Sequence, residues 1–198
     1  MDEGYIKFNC QWLQQAPDAA IDIREINAWR GQMHQAGLIG VYDNGIGFGN
    51  ISTRLADYPF LISGSATGEI SNLTKDHYAV VTDYNFAENR LVCQGPIKAS
   101  SESLSHAIIY ECEPTVNAVI HVHSMNLWEK LMHVLPTTEA TVAYGTPEMA
   151  MEIKRLLTVS DEIVQHKTII MGGHEEGILV WGKTMEEAGK RTLALLDS

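Results

Sequence analysis

The sequence predicts a layered α/β domain, and three observations lead there. Apolar residues at helical spacing alternate with short β-prone runs along the whole chain. The 198 residues suit one domain of about 100 to 200 residues. No internal repeat or low-complexity segment breaks the pattern, and helices interleaved with strands in one chain pack as layers. With 45% apolar residues, the chain can bury about 70% of the surface its unfolded form exposes, so it needs neither a disulfide nor a structural metal to fold.

Residues 1–21 show no clear period and include Pro17, so they read as an arm or irregular entry to a domain over residues 22–198. A helix is expected from Asp22, with Ile26, Trp29 and Met33 on one face and Gly37 where the helix must stop. Residues 40–100 change character: Gly40, Gly45, Gly47, Gly49, Gly64 and Gly68 punctuate β-prone runs such as Phe60-Leu61-Ile62 and Tyr78-Ala79-Val80-Val81. After Ser100-Ser101 the spacing of Leu104, Ala107 and Ile108 is helical, and Val116 to His123 reads as a buried strand. A further helix is expected from about Ser124 to His133, and Pro147 opens another, with Met149, Ile153 and Leu157 on one face. Thr168 to Met171 and Ile178 to Trp181 are short strands parted by the turn Gly172 to Gly177. The helix from Thr184 to Leu196 closes the chain, Thr184 serving as N-cap with Glu187 three positions on.

Fourteen basic against 25 acidic residues give a net charge of -11, which leaves no basic face for nucleic acid or anionic lipid. Cys10, Cys93 and Cys112 are odd in number and widely spaced, as in a reducing compartment. The start Met1-Asp2-Glu3-Gly4-Tyr5 is acidic where a signal peptide is basic, and no stretch approaches about 18 uncharged apolar residues. A cytoplasmic, soluble protein is expected.

His121-Val122-His123 is the sharpest chemical signal, because residues i and i+2 of a strand share a face and two imidazoles there can close on one ion. They end the apolar run Ala118-Val119-Ile120, where α/β sheets place ligands. His174, in a glycine-rich turn, is either a third ligand or an ordinary loop residue. His34, His77, His133 and His166 read as surface or helix-face residues. Glu102 follows Ser100-Ser101 at a helix start, where a carboxylate can simply cap, or can act as a base beside hydroxyls and free N–H groups that hold a phosphate. Gly47 to Asn50 and Ser63 to Gly68 are further candidates for anion-binding nests, and neither matches a P-loop or dinucleotide fingerprint.

Taken in order, Gly49-Asn50-Ile51-Ser52 with Arg54, Ser63-Gly64 with Thr67-Gly68, Ser100-Ser101-Glu102 with His106 and Tyr110, Ala118 to His123, and the late histidine-bearing glycine turn resemble the class II aldolase/adducin family over roughly residues 22–196. The chain is similar in particular to fuculose-phosphate and rhamnulose-phosphate aldolases and ribulose-phosphate 4-epimerases. The resemblance implies a three-layer α/β/α domain around a mixed, largely antiparallel sheet, a homotetramer, and a divalent metal, zinc foremost, near the subunit interface. It makes His121, His123 and His174 the metal ligands, Glu102 the acid/base, and Asn50, Thr67, Gly68, Ser100 and Ser101 the phosphate pocket. The implied reaction is aldol cleavage of a small phosphorylated ketose through a metal-stabilised enediolate. The same fold also serves epimerases, dehydratases and decarboxylases, and non-catalytic adducin-like modules.

Two departures stand out. Gly177 is preceded by Glu175-Glu176, so a gapless register puts Glu176 rather than His174 at the ligand position. The family's usual proton-donor segment is shortened here, and Glu139 or Tyr144, reaching a neighbouring subunit, are the candidate replacements.

Overall fold

The computed structural model describes residues 5–159 and 165–197. In chain order it contains β1 (Asn9–Gln14), α1 (Arg24–Gln35), β2 (Gly40–Val41), β3 (Gly47–Phe48), β4 (Asn50–Arg54), β5 (Phe60–Ser63), β6 (Tyr78–Asn85), β7 (Arg90–Gly95), α2 (Ser103–Cys112), β8 (Ala118–His123), α3 (Met125–Leu131), α4 (Pro147–Val159), β9 (Thr168–Ile170), β10 (Gly177–Gly182) and α5 (Met185–Ala194). Eight strands form one sheet in the order β1-β7-β6-β5-β4-β8-β10-β9, while β2 and β3 make a separate hairpin. Every neighbouring pair is antiparallel except β1 with β7.

Strand alternation sends side chains to two cores. On one face Val119, Leu179 and Trp181 pack under α2 and α4 through Leu104, Ile108, Met149 and Ile153. On the other, Ile120, Val122, Ile178 and Val180 meet α1, α3 and α5 through Ile26, Met33, Leu127 and Ala188. The result is the three-layer α/β/α arrangement with a mixed, largely antiparallel sheet that the resemblance implies.

The caps follow sequence chemistry. The Thr184 side chain accepts from the Glu187 N–H at 3.0 Å, and Gly37 ends α1 at φ 72°, a left-handed conformation that favours glycine. α1 itself begins at Arg24, two residues later than expected, because Asp22 accepts from the Arg24 N–H at 3.0 Å outside the helix.

Two departures are instructive. Residues 9–14, read as irregular entry, instead pair in parallel with β7, and the Trp12 indole N–H donates to the Gly95 carbonyl at 3.0 Å. The pairing partner lies far along the chain, so no local period announces it. In α1 the buried face is Ile26, Arg30 and Met33, while Trp29 is only half-buried, packed at Gly189 of α5. Arg30 can be buried because its guanidinium finds carbonyl acceptors, described below. The three cysteines are free, with Cys93 buried. Among the described residues no helix is long and apolar enough to cross a membrane.

Candidate active site

β8 sends Val122 to one core and His121 and His123 to the opposite face, which is why an alternating pair on one strand converges. Their Nε2 atoms lie 3.0 Å apart, and both rings are buried. The His121 Nδ1 lies 3.2 Å from the Ile178 carbonyl. A carbonyl only accepts, so that nitrogen carries the proton and the His121 Nε2 presents a lone pair. The Tyr42 hydroxyl donates to Glu176 Oε2 at 2.5 Å and lies 2.9 Å from the His123 Nδ1. Its oxygen therefore accepts from the His123 Nδ1–H, leaving the second Nε2 unprotonated as well. Two lone pairs at this distance repel, and a cation between them removes the repulsion.

His174 completes the group from the turn between β9 and β10. Its ring centroid is 5.0 Å from that of His121 and 4.7 Å from that of His123. Candidate ligand atoms of the three residues all lie within 4.8 Å of one another. Gly177 permits this position, since a Cβ there would sit 2.9 Å from the His174 Nδ1. Burial first, then the neighbouring His123 and His174, holds the His121 imidazole well below its ordinary value and so in the neutral, ligating form. The donor set fits a divalent transition metal with an open fourth position. Glu176 is not in the group; its carboxylate faces Tyr42 and His123.

Tyr144 lies in the same chain's site. Its ring stacks on His174 at 4.3 Å between centroids and 20° between planes, which leaves its other face to the Lys7 ammonium, 3.5 Å from the ring centroid. No local pattern announces Lys7, because the arm reaches the site only through the pairing of β1. Glu139 is exposed, and its backbone N–H donates to Glu152 at 3.1 Å; the structure does not bring its side chain into the histidine group.

Glu102 is 1% exposed at the start of α2, yet its side chain makes no capping bond, unlike the plain structural reading of that position. Ser100 organises the turn instead, its Oγ accepting from the Glu102 N–H at 3.3 Å and its carbonyl from the Ser103 hydroxyl at 2.6 Å. Glu102 Oε2 accepts from the Ser105 hydroxyl at 2.8 Å. A Cβ on Gly145 would lie 3.6 Å from Glu102 Oε1, so the residue after Tyr144 packs directly against this carboxylate.

Asn50, Thr67, Gly68, Ser100 and Ser101 line one small, polar depression together with Gly47, Gly49 and Gly64 to Ala66. Asn50 pairs with His121 in the β4–β8 register, so the depression adjoins the histidine group. Ala66 adopts φ 59°, a left-handed backbone of the kind found in loops that form anion-binding nests. The Asn50 Oδ1 is buried with no hydrogen-bond partner among the described residues, an acceptor that a hydroxyl or N–H of a ligand would satisfy. Behind the loop, buried Arg30 donates to the carbonyls of Thr67 at 2.9 Å, Gly68 and Ser71 at 3.1 Å, and Ile70. It draws the carbonyls of this segment to one side and brings a positive charge beneath a depression that no lysine or arginine lines. Sequence reasoning missed it, since a charged residue in an amphipathic helix ordinarily marks the solvated face.

Residues 33–198 match the sequence profile described as the Class II Aldolase and Adducin N-terminal domain. A methylthioribulose-1-phosphate dehydratase of Gluconacetobacter diazotrophicus is 31% identical over 160 residues, 71% of this chain and 74% of that protein. A protein of the same name from Pectobacterium atrosepticum is 26% identical over 162 residues, 71% of this chain and 75% of its own length. Among solved structures, l-fuculose-1-phosphate aldolase from Thermus thermophilus superposes with a TM-score of 0.62 at 19% identity, covering 88% of each chain. A sugar-phosphate aldolase from Thermotoga maritima gives a TM-score of 0.62 at 18% identity over 87% of this chain and 89% of its own. At these identities the two structures establish a shared fold.

Proposed function

The chain belongs to the class II aldolase and adducin family, and from that premise we propose that it is a divalent-metal-dependent lyase that removes water from a small ketose 1-phosphate. The observation that carries this reading is the adjacency of a buried three-imidazole group and an uncharged, polar depression across the β4–β8 register. The dehydratase relatives, each matched over about three quarters of its length, favour dehydration.

In this reading Asn50, Thr67, Gly68, Ser100 and Ser101 hold the phosphate and turn the C2 carbonyl toward His121, His123 and His174. His121, His123 and His174 would hold a divalent ion, zinc foremost, which would supply Lewis-acid polarisation of that carbonyl. The Glu102 carboxylate, held by Ser105, takes the proton from C3, and the electron pair spreads over C2 and C3 as an enediolate. The pair then expels the C4 hydroxyl, to which Tyr144 gives a proton so that it leaves as water. The enzyme would work as a homotetramer, as the family resemblance implies, with Tyr144 supplied in cis and Glu139 available only to a neighbouring subunit.

Carbon–carbon cleavage is the second reading. There Tyr144 takes the proton of the C4 hydroxyl, the C3–C4 bond breaks to release C4 as an aldehyde and leave the enediolate of a triose phosphate, and Glu102 gives a proton to C3. The stack of Tyr144 on His174 within one chain supports either role.

Metal-loaded protein should convert methylthioribulose 1-phosphate, or another member of a ketose 1-phosphate panel, to a product lighter by one water. Glu102→Gln should lower kcat by at least about 100-fold while the phosphate still binds. Appearance of a triose phosphate instead would select carbon–carbon cleavage. Inactivity of metal-loaded protein toward the whole panel in both assays would overturn the proposal.

A further inference from the structure

The β2–β3 hairpin lies over the histidine group, and its position is fixed from two directions. Tyr42 and Ile46 close its tip, with the Tyr42 N–H donating to the Ile46 carbonyl at 2.9 Å and the Gly45 N–H to the Tyr42 carbonyl at 2.8 Å. Its base rests on the anion loop, where a Cβ on Gly68 would lie 1.9 Å from the Gly40 carbonyl oxygen. Phe48 packs on both Tyr42 and His123, with ring centroids 4.5 and 5.5 Å away.

From the other side comes Glu176, whose backbone stands at φ 68°. A branchless glycine adopts this conformation freely, whereas for a glutamate it is strained, and strain of this kind persists only where the surroundings impose it. What the strained backbone achieves is visible in the contacts. Glu176 Oε2 accepts the Tyr42 hydroxyl at 2.5 Å and lies 3.7 Å from the His123 Nδ1, which in turn donates to the Tyr42 oxygen at 2.9 Å.

We infer that Tyr42 and Glu176 form a hydrogen-bonded clamp that positions His123 as a metal ligand, fixing its tautomer and ring orientation from outside the ligand set. This inference rests on the proposed reading of the histidine group as a metal centre. A carboxylate acting through a hydroxyl on the far nitrogen of a ligating imidazole makes the near nitrogen a better donor and removes the rotational freedom that binding would otherwise have to freeze. It also assigns a role to the glutamate that directly precedes Gly177: Glu176 supports a ligand, and His174 is the third ligand.

The test uses the full chain with Tyr42→Phe and Glu176→Gln, both nearly isosteric, and His121→Ala as reference. Affinity for zinc is measured by chelator competition, and the visible spectrum of the cobalt-loaded protein reports ligand geometry. The clamp predicts zinc binding weakened about 10- to 100-fold in both Tyr42→Phe and Glu176→Gln, with one cobalt still bound at saturation and a shifted spectrum. Parental affinity and spectrum in both variants, with binding abolished in His121→Ala, would overturn the clamp and leave the metal centre standing. Loss of binding in Glu176→Gln with none in Tyr42→Phe would overturn it by making Glu176 a ligand itself. Undiminished binding in His121→Ala would remove the metal centre, and the clamp with it.

Discussion

The buried histidines His106 and His121 and the buried tyrosines Tyr78 and Tyr110 are tuned first by burial. His106 is fully buried, 2.7 Å through Nδ1 from the Ser52 hydroxyl, which is itself 2.8 Å from the Tyr110 hydroxyl. Burial pushes its imidazole from the ordinary 6.5 down to about 3. Between those values the unfolded chain binds a proton that the folded one refuses. The stability His106 contributes is therefore complete above its unfolded value and drains away as pH falls toward its folded one. Each pH unit in that window is worth about 1.4 kcal/mol per proton, so metal-free protein should lose on the order of 2 kcal/mol from this residue between about pH 6.5 and pH 5. Urea unfolding at both values should show that loss and a shallower one in His106→Gln; identical slopes would exclude His106 as the source. Legibility at this scale followed covalent proximity. His121 and His123 declared themselves because alternation on one strand puts them on one face. Tyr42, Lys7 and Arg30 did not, because each reaches the site from a segment whose approach depends on packing elsewhere. Spacing leaves His174 and Glu176 both open as third partner, and it is the turn geometry, with Glu176 at φ 68°, that brings His174 beside the other two imidazoles.

Secondary-structure elements were mostly readable because their caps and breakers are local. Thr184 with Glu187, Pro147 and Gly37 each mark a boundary the structure keeps. Loop placement was not readable, and here it decides function. The segment carrying Thr138 to Tyr144 packs so tightly on the turn before β10 that a Cβ on Gly173 would lie 1.8 Å from the Val142 carbonyl oxygen. Gly173→Ala must push these two loops apart, and with them His174 and the ring stacked on it. Zinc affinity should fall on the order of tenfold, with a stability loss of about 1 to 3 kcal/mol. Chelator competition and denaturant melts measure the two effects; an alanine variant with parental affinity would show that the loop contact does not hold His174.

At the scale of the whole molecule the layered architecture was legible, because an apolar period switching between helix and strand leaves few ways to bury both faces of a sheet. The edge pairing was not. Because a bound ion stabilises only the folded state, stripping it should lower the melting temperature. Loading at about 100 times the dissociation constant is worth about 2.7 kcal/mol, a shift of about 5 to 11 °C for a domain of this size. Calorimetry with and without chelator measures it, and superimposable transitions in protein known to carry the ion would contradict a site built into the fold. The parallel pairing of β1 with β7 carries a consequence for assembly order. β1 must wait unpaired until Arg90–Gly95 has been synthesised and docked, and closing so long a loop is slow. Lys7, just ahead of that strand, meets Tyr144 only through this long-range pairing, so the contact depends on two segments that are far apart in the chain.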